Sequence, residues 1–139
     1  MARTEKYILF YLGEDSYALP ALYAKKFVEF KHLLHLPNVS KEIKGLLYHN
    51  GNIITVIDTK VILSVKPLQK PSQKICLIFE SNNYYYGLLV HQGGDTVVAK
   101  KIFTDKQKKI FQRYFKTPDQ KKVYILEIDK ILSQININD

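Results

Sequence analysis

Gly45-Leu46-Leu47-Tyr48-His49-Asn50-Gly51-Asn52-Ile53-Ile54-Thr55-Val56-Ile57-Asp58 holds two apolar runs on either side of an Asn-Gly pair. A two-residue hairpin turn needs positive φ at both central positions, which Asn and Gly adopt at least cost. Gly45 to Asp58 therefore reads as strand, turn, strand. The second strand stops at Asp58, which precedes Thr59-Lys60-Val61-Ile62-Leu63 and is well placed to cap a single helical turn.

The same grammar occurs twice more along the chain. Tyr7 to Leu12, turn residues Gly13 to Ser16, and Tyr17 to Pro20 form one run-turn-run; Lys74 to Phe79, turn residues Glu80 to Asn83, and Tyr84 to Val90 form another. Tyr17-Ala18 corresponds to Tyr86-Gly87 at an offset of 69, and Val56 to Leu63 is echoed by Leu126 to Leu132, with Asp58 matching Asp129 at an offset of 71. Two similar halves follow, about 1–65 and 73–139, each opening with a hairpin and closing with a strand that enters a capped helical turn. Ser64 to Ser72, with Pro67 and Pro71, has the chemistry of a linker. Halves of this size are marginal alone, so apolar faces buried between them are expected to supply a shared core within a single domain spanning 1–139.

Helical periodicity is scarce. Ala21 to Phe30 fits a short helix after Pro20, yet Phe27-Val28-Glu29-Phe30 alternates like a strand, and Lys106 to Phe115 is equally divided. Ten tyrosines, seven phenylalanines and many β-branched residues make the chain mostly β.

The net charge of +8 is concentrated. Residues 100–122 hold nine Lys or Arg against Asp105 and Asp119, an excess of seven, and the remainder is nearly neutral. Such a segment suits a solvated face, phosphate, an anionic membrane surface or an acidic protein. Cys76 is unpaired within an apolar run and reads as a small buried hydrophobe. A polar N-terminus unlike a secretory signal, and no apolar run of about 20 residues, lead to the expectation of a soluble, cytoplasmic protein.

Leu9-Phe10-Tyr11-Leu12-Gly13 with Tyr17-Ala18-Leu19-Pro20, Leu36-Pro37-Asn38, Ile43-Lys44-Gly45, Gly51-Asn52-Ile53, Val56-Ile57-Asp58, Gly87-Leu88-Leu89-Val90 and Leu126 to Leu132 occur in the order and spacing of the CheW-like domains. The chain resembles this family, the coupling proteins of bacterial chemotaxis, over nearly its whole length. The resemblance implies two similar five-stranded SH3-like β-barrels packed around a shared hydrophobic core, with short helical turns. It implies a non-enzymatic adaptor without cofactor, peripheral to inner-membrane receptor arrays. Its implied partners are the regulatory domain of a CheA-type histidine kinase and the cytoplasmic tip of a methyl-accepting chemoreceptor. Kinase-facing positions would be Ala24, Lys26, Phe27 and Gly45; receptor-facing positions would be Asn50 and Gly51, with Tyr86, Leu88 and Val90 on the groove between the halves. This chain departs from the family at three places: Asn50 stands where arginine is usual, Thr55 replaces a proline, and His91 replaces an aspartate.

Other chemistries find less support. Asp58 and Asp129 lack an accompanying nucleophile or base, and capping accounts for both. His32, His35, His49 and His91 lack the spacing of a metal site. Gly93-Gly94-Asp95 reads as a tight turn, with no Gly-Lys-Ser/Thr to make a phosphate loop. The rival function is a small basic β-barrel that binds nucleic acid through residues 100–122, where Phe103, Phe111, Tyr114 and Phe115 interleave with lysines and would combine stacking with phosphate neutralisation.

Overall fold

A computed structural model describes residues 5–64, 74–106 and 112–135. Its elements are β1 (Glu5–Leu12), β2 (Asp15–Pro20), β3 (Ala24–Glu29), β4 (Ile43–His49), β5 (Asn52–Ile57), α1 (Thr59–Leu63), β6 (Ile75–Ser81), β7 (Tyr84–Val90), β8 (Gln92–Ala99), β9 (Phe103–Thr104), β10 (Arg113–Lys116), β11 (Lys122–Ile125) and α2 (Ile128–Gln134). The mostly β reading holds.

The Asn50-Gly51 hairpin forms as the sequence demands. Asn50 and Gly51 have φ of 49° and 80°, and His49 faces Asn52 across a two-residue turn. Asn82 and Asn83, at φ of 52° and 68°, make the same kind of turn between β6 and β7. Ala24–Glu29 is a strand, as is Arg113–Lys116. The 64–72 linker, apart from Ser64, lies outside the described residues, as does Phe111.

The strands form two sheets, in the orders β8-β1-β2-β11-β10-β9 and β3-β6-β7-β5-β4. One has six strands and the other five, and neither closes as a continuous barrel. The five-stranded sheet curls until the chain just beyond β3 meets β4 through a single bridge, Leu34 to Leu46.

Each sheet draws strands from both halves of the chain. The opening hairpin β1–β2 lies in the sheet completed by β8 to β11, and the later hairpin β6–β7 lies in the sheet completed by β3 to β5. The repeat is therefore real, but its hairpins are exchanged. An offset of 69 carries the hairpins and the strands beside them in one sheet onto those in the other: Phe79 faces Tyr86 as Phe10 faces Tyr17, Val28 faces Cys76 as Val97 faces Tyr7, and Ala24 faces Phe79 as Gly93 faces Phe10. Stacked rings recur at equivalent sites, Phe10 on Tyr17 at 5.9 Å and Phe79 on Tyr86 at 5.3 Å.

This register corrects the pairing of Asp58 with Asp129. The N-cap of α1 is Asp58 and that of α2 is Glu127, again 69 residues apart, while Asp129 sits inside the first turn of α2. Neither cap uses its side chain. The Asp58 carbonyl accepts from the N–H groups of Val61 and Ile62 instead, at 3.1 and 3.2 Å, so its capping is by backbone alone.

Strand alternation divides the apolar residues among three clusters. On β1, Phe10 and Leu12 face the largest, which lies between the sheets and takes in Leu19, Ile57, Leu77, Phe79, Leu88, Leu126 and Ile131. Tyr7 and Leu9 face the inner side of the six-stranded sheet with Ala18, Phe115, Val123 and Ile125. Val28, Leu47, Ile54, Val56, Cys76 and Ile78 fill the five-stranded sheet. Burial pushes the Cys76 thiol up to about 12, so it behaves as a small hydrophobe.

Gly93-Gly94-Asp95 is not a turn. It belongs to β8, which pairs with β1 around a bulge between Ile8 and Phe10. The glycines serve close packing: a Cβ on Gly93 would lie 2.9 Å from the Phe27 ring, where the two sheets meet.

Candidate partner-binding surfaces

The β4–β5 hairpin forms the edge of the five-stranded sheet, with one face turned inward. Leu47, Ile54 and Val56 fill the core, so the alternate positions must face out. Two of them are Tyr48, 74% exposed, and its direct cross-strand partner Ile53, 63% exposed. Because Ile54 is in parallel register with Tyr85, Ile53 is followed on the same face by Tyr84, which is 68% exposed. Leu34, 65% exposed, is bridged to β4 at Leu46. Large apolar side chains gathered next to one exposed turn suit a protein interface. The sequence reading missed these residues, although Tyr48 and Ile53 flank the Asn-Gly turn symmetrically and out of phase with Leu47 and Ile54.

Among the residues expected to face a receptor, Asn50 and Gly51 are exposed at the hairpin tip. Tyr86, Leu88 and Val90 are not available for contact. All three are buried in the inter-sheet core, because the even positions of β7 face the other sheet. They can shape a groove only through the residues above them.

The expected kinase-facing positions are also divided. Ala24, Lys26 and Phe27 lie on β3 and Gly45 on β4, the two end strands of the sheet order. Lys26 is exposed, whereas Ala24 and Phe27 are half-buried against the inter-sheet core. Gly45 is buried, and a Cβ there would stand 2.8 Å from the Leu34 carbonyl oxygen. A glycine is needed there to let the β3–β4 connection approach β4.

A polar cleft of about 890 Å³ opens between Leu22, Tyr23, the β6–β7 turn, Arg113 and the start of α2. Most of its charges pair with one another, Asp129 excepted. Lys25 meets Glu80 at 3.3 Å, and Glu127 meets Lys130 at 2.9 Å and Arg113 at 3.9 Å. These exposed pairs add little stability, and the cleft presents no nucleophile paired with a base among the described residues.

The third departure, His91, has a definite structural role. Its ring Nδ1 accepts a hydrogen bond from the Gly13 N–H at 2.6 Å, and its backbone N–H donates to the Tyr11 carbonyl at 2.9 Å. The ring thereby ties β7 to the β1–β2 turn. Only neutral imidazole can accept at Nδ1, and burial followed by the Lys60 charge lowers its pKa from the usual 6.5. A lowered folded pKa gives stability that is present above the unfolded value and lost as pH falls through the folded one. Acidification from pH 7 to 5 should therefore destabilise the native protein more than His91→Asp, whose carboxylate still accepts in that range. Equal losses of melting temperature in the two proteins over that interval would contradict this role.

Among the described residues, the rings of the rival nucleic-acid reading are already engaged. Phe115 is buried, Phe103 and Tyr114 stack on one another at 5.3 Å, and Lys101 and Lys116 lie over the Phe103 ring. Few ring faces of Phe103, Tyr114 and Phe115 are left for bases.

No helix among the described residues is long and apolar enough to cross a membrane. No curated protein matches the sequence. Among solved structures, the scaffolding protein TtCheW from Thermoanaerobacter tengcongensis is similar in fold, with a TM-score of 0.79 and 21% identity over 91% of this chain and 90% of that one. The family model for the CheW-like domain matches residues 6–136, which takes in both sheets and both helices, and the chain belongs to the CheW-like domain family.

Proposed function

We propose that this protein is a non-enzymatic cytoplasmic adaptor of chemotaxis signalling, which couples a chemoreceptor to a CheA-type histidine kinase. Membership of the CheW-like family supports the scaffold role. The observation that carries the coupling reading is the apolar strip Leu34, Tyr48, Ile53 and Tyr84 beside the Asn50-Gly51 tip. It offers the helical tip of a receptor an apolar face, in the manner of a helix laid on a hydrophobic surface. The kinase regulatory domain is assigned to the β3 edge around Lys26, supported from beneath by Ala24 and Phe27, and to the β4 edge at Gly45. Tyr86, Leu88 and Val90 support the receptor face from within the core.

Surface-immobilised receptor tip and kinase regulatory domain from the same organism test the two arms separately. Tyr48→Ala should weaken receptor binding about ten-fold or more, as truncating a central aromatic anchor does, and leave kinase binding unchanged. Asn50→Arg, which restores the usual family residue, should strengthen receptor binding despite about 1 kcal/mol of strain at its left-handed φ. Unaltered receptor affinity in Tyr48→Ala would remove the strip from the interface, and no association of the folded protein with the kinase domain would sink the kinase arm.

A further inference from the structure

The offset of 69 makes the β10–β11 hairpin the structural counterpart of β4–β5, since β11 lies parallel to β2 as β5 lies parallel to β7. The two hairpins carry opposite chemistry. Where β4–β5 shows Tyr48 opposite Ile53, β10–β11 shows Lys116 opposite Lys122. Like charges placed directly across a strand pair weaken it. None of Lys100, Lys101, Lys116, Lys121 and Lys122 forms an ion pair among the described residues. The hairpin's own carboxylate, Asp119, accepts a hydrogen bond from the Thr117 hydroxyl, and Asp105 contacts the Tyr124 hydroxyl at 3.5 Å.

The cations are also held in place. Phe10, Tyr17, Tyr124, Tyr114 and Phe103 occupy one continuous rung across β1, β2, β11, β10 and β9. At its outer end Lys101 and Lys116 lie 5.1 and 5.2 Å from the Phe103 centroid, and Lys122 lies 4.9 Å from that of Tyr114. Holding long side chains on rings lowers the ordering cost of a later contact. Beside them, a cleft of about 430 Å³ has Leu9, Val97, Val98 and Phe115 in its walls and Lys100, Lys101 and Lys116 on its rim.

We propose that this cationic face is a second docking surface, which binds an acidic polypeptide segment whose apolar side chains enter the Val97–Phe115 cleft while its carboxylates meet Lys101, Lys116 and Lys122. The uncompensated lysines supply the charge complementarity, and the cleft accounts for a polypeptide instead of a bare polyanion. Ring faces already occupied by one another and by ammonium groups disfavour a nucleic acid, which would need them for stacking. The surface is separate from the strip assigned to the receptor, so it stands or falls independently of the coupling role.

Fluorescence anisotropy on the full chain provides the test, with a labelled peptide of Glu interspersed with Leu, its Gln-for-Glu equivalent, a thymidine oligonucleotide and phosphatidylserine vesicles as probes. The Glu/Leu peptide should bind best and lose about ten-fold or more in affinity between about 50 and 300 mM salt. The combined variant Lys101→Glu, Lys116→Glu and Lys122→Glu should bind it at least about ten-fold more weakly; the milder Lys→Gln set serves if charge reversal impairs folding. Equal binding of the Gln peptide, tighter binding of the oligonucleotide or vesicles, or no binding at the lower salt overturns the proposal.

Discussion

Divided between α1 and β6 into fragments 1–68 and 69–139, the protein should yield two pieces that are each unfolded alone and that regain the native circular dichroism when mixed. A chain made of two self-contained halves would predict the reverse. Fragment 1–68 keeps β1–β2 but loses β8 and β11, the neighbours on both sides of that hairpin. It keeps β3, β4 and β5 but loses β6 and β7, which separate β3 from β5. The second fragment has the complementary defect. An isolated hairpin is marginal in water, and an unpaired edge with one apolar face exposed favours aggregation over folding. The inter-sheet cluster also needs both pieces, since Phe10, Leu19 and Ile57 come from one and Phe79, Leu88 and Leu126 from the other. A dispersed, cooperatively melting β signal from either fragment alone would refute the exchanged arrangement.

Phe10→Ala should cost about 3–5 kcal/mol, the range for removing a fully buried ring, and lower the melting temperature by roughly 10 °C or more. Phe10 has no exposed surface, stacks on Tyr17, and faces the cluster that holds the two sheets together. Phe103→Ala, at the other end of the same rung, should cost about 1 kcal/mol, because that ring is half-exposed and packs mainly on Tyr114. The pair is informative because both positions are Phe in a strand of the same sheet and differ in depth. Denaturant titrations that place the two variants within about 1 kcal/mol of each other would show that the inter-sheet core does not dominate stability.

Local features of the fold were legible. Asn50-Gly51 dictated its turn through backbone sterics. The family was legible from short motifs in order, and so was the duplication, though its true offset emerged only from the register of the sheets. Of the expected site residues, Asn50, Gly51 and Lys26 are exposed. Tyr86, Leu88 and Val90 are buried, and Tyr48, Ile53 and Tyr84 take their place at the surface.

By itself the sequence determined the Asn50-Gly51 turn with the strands on either side of it, the mostly β character and the fact that the chain repeats, because turn sterics and period-2 burial act between near neighbours. The tertiary structure alone decided which strands become partners and which apolar face becomes surface. A strand offers two faces and two edges whatever its sequence, and only pairing across distant parts of the chain selects among them. Here that selection exchanged the opening hairpins, buried the even positions of β7, and left two equivalent hairpins exposed, one apolar and one cationic.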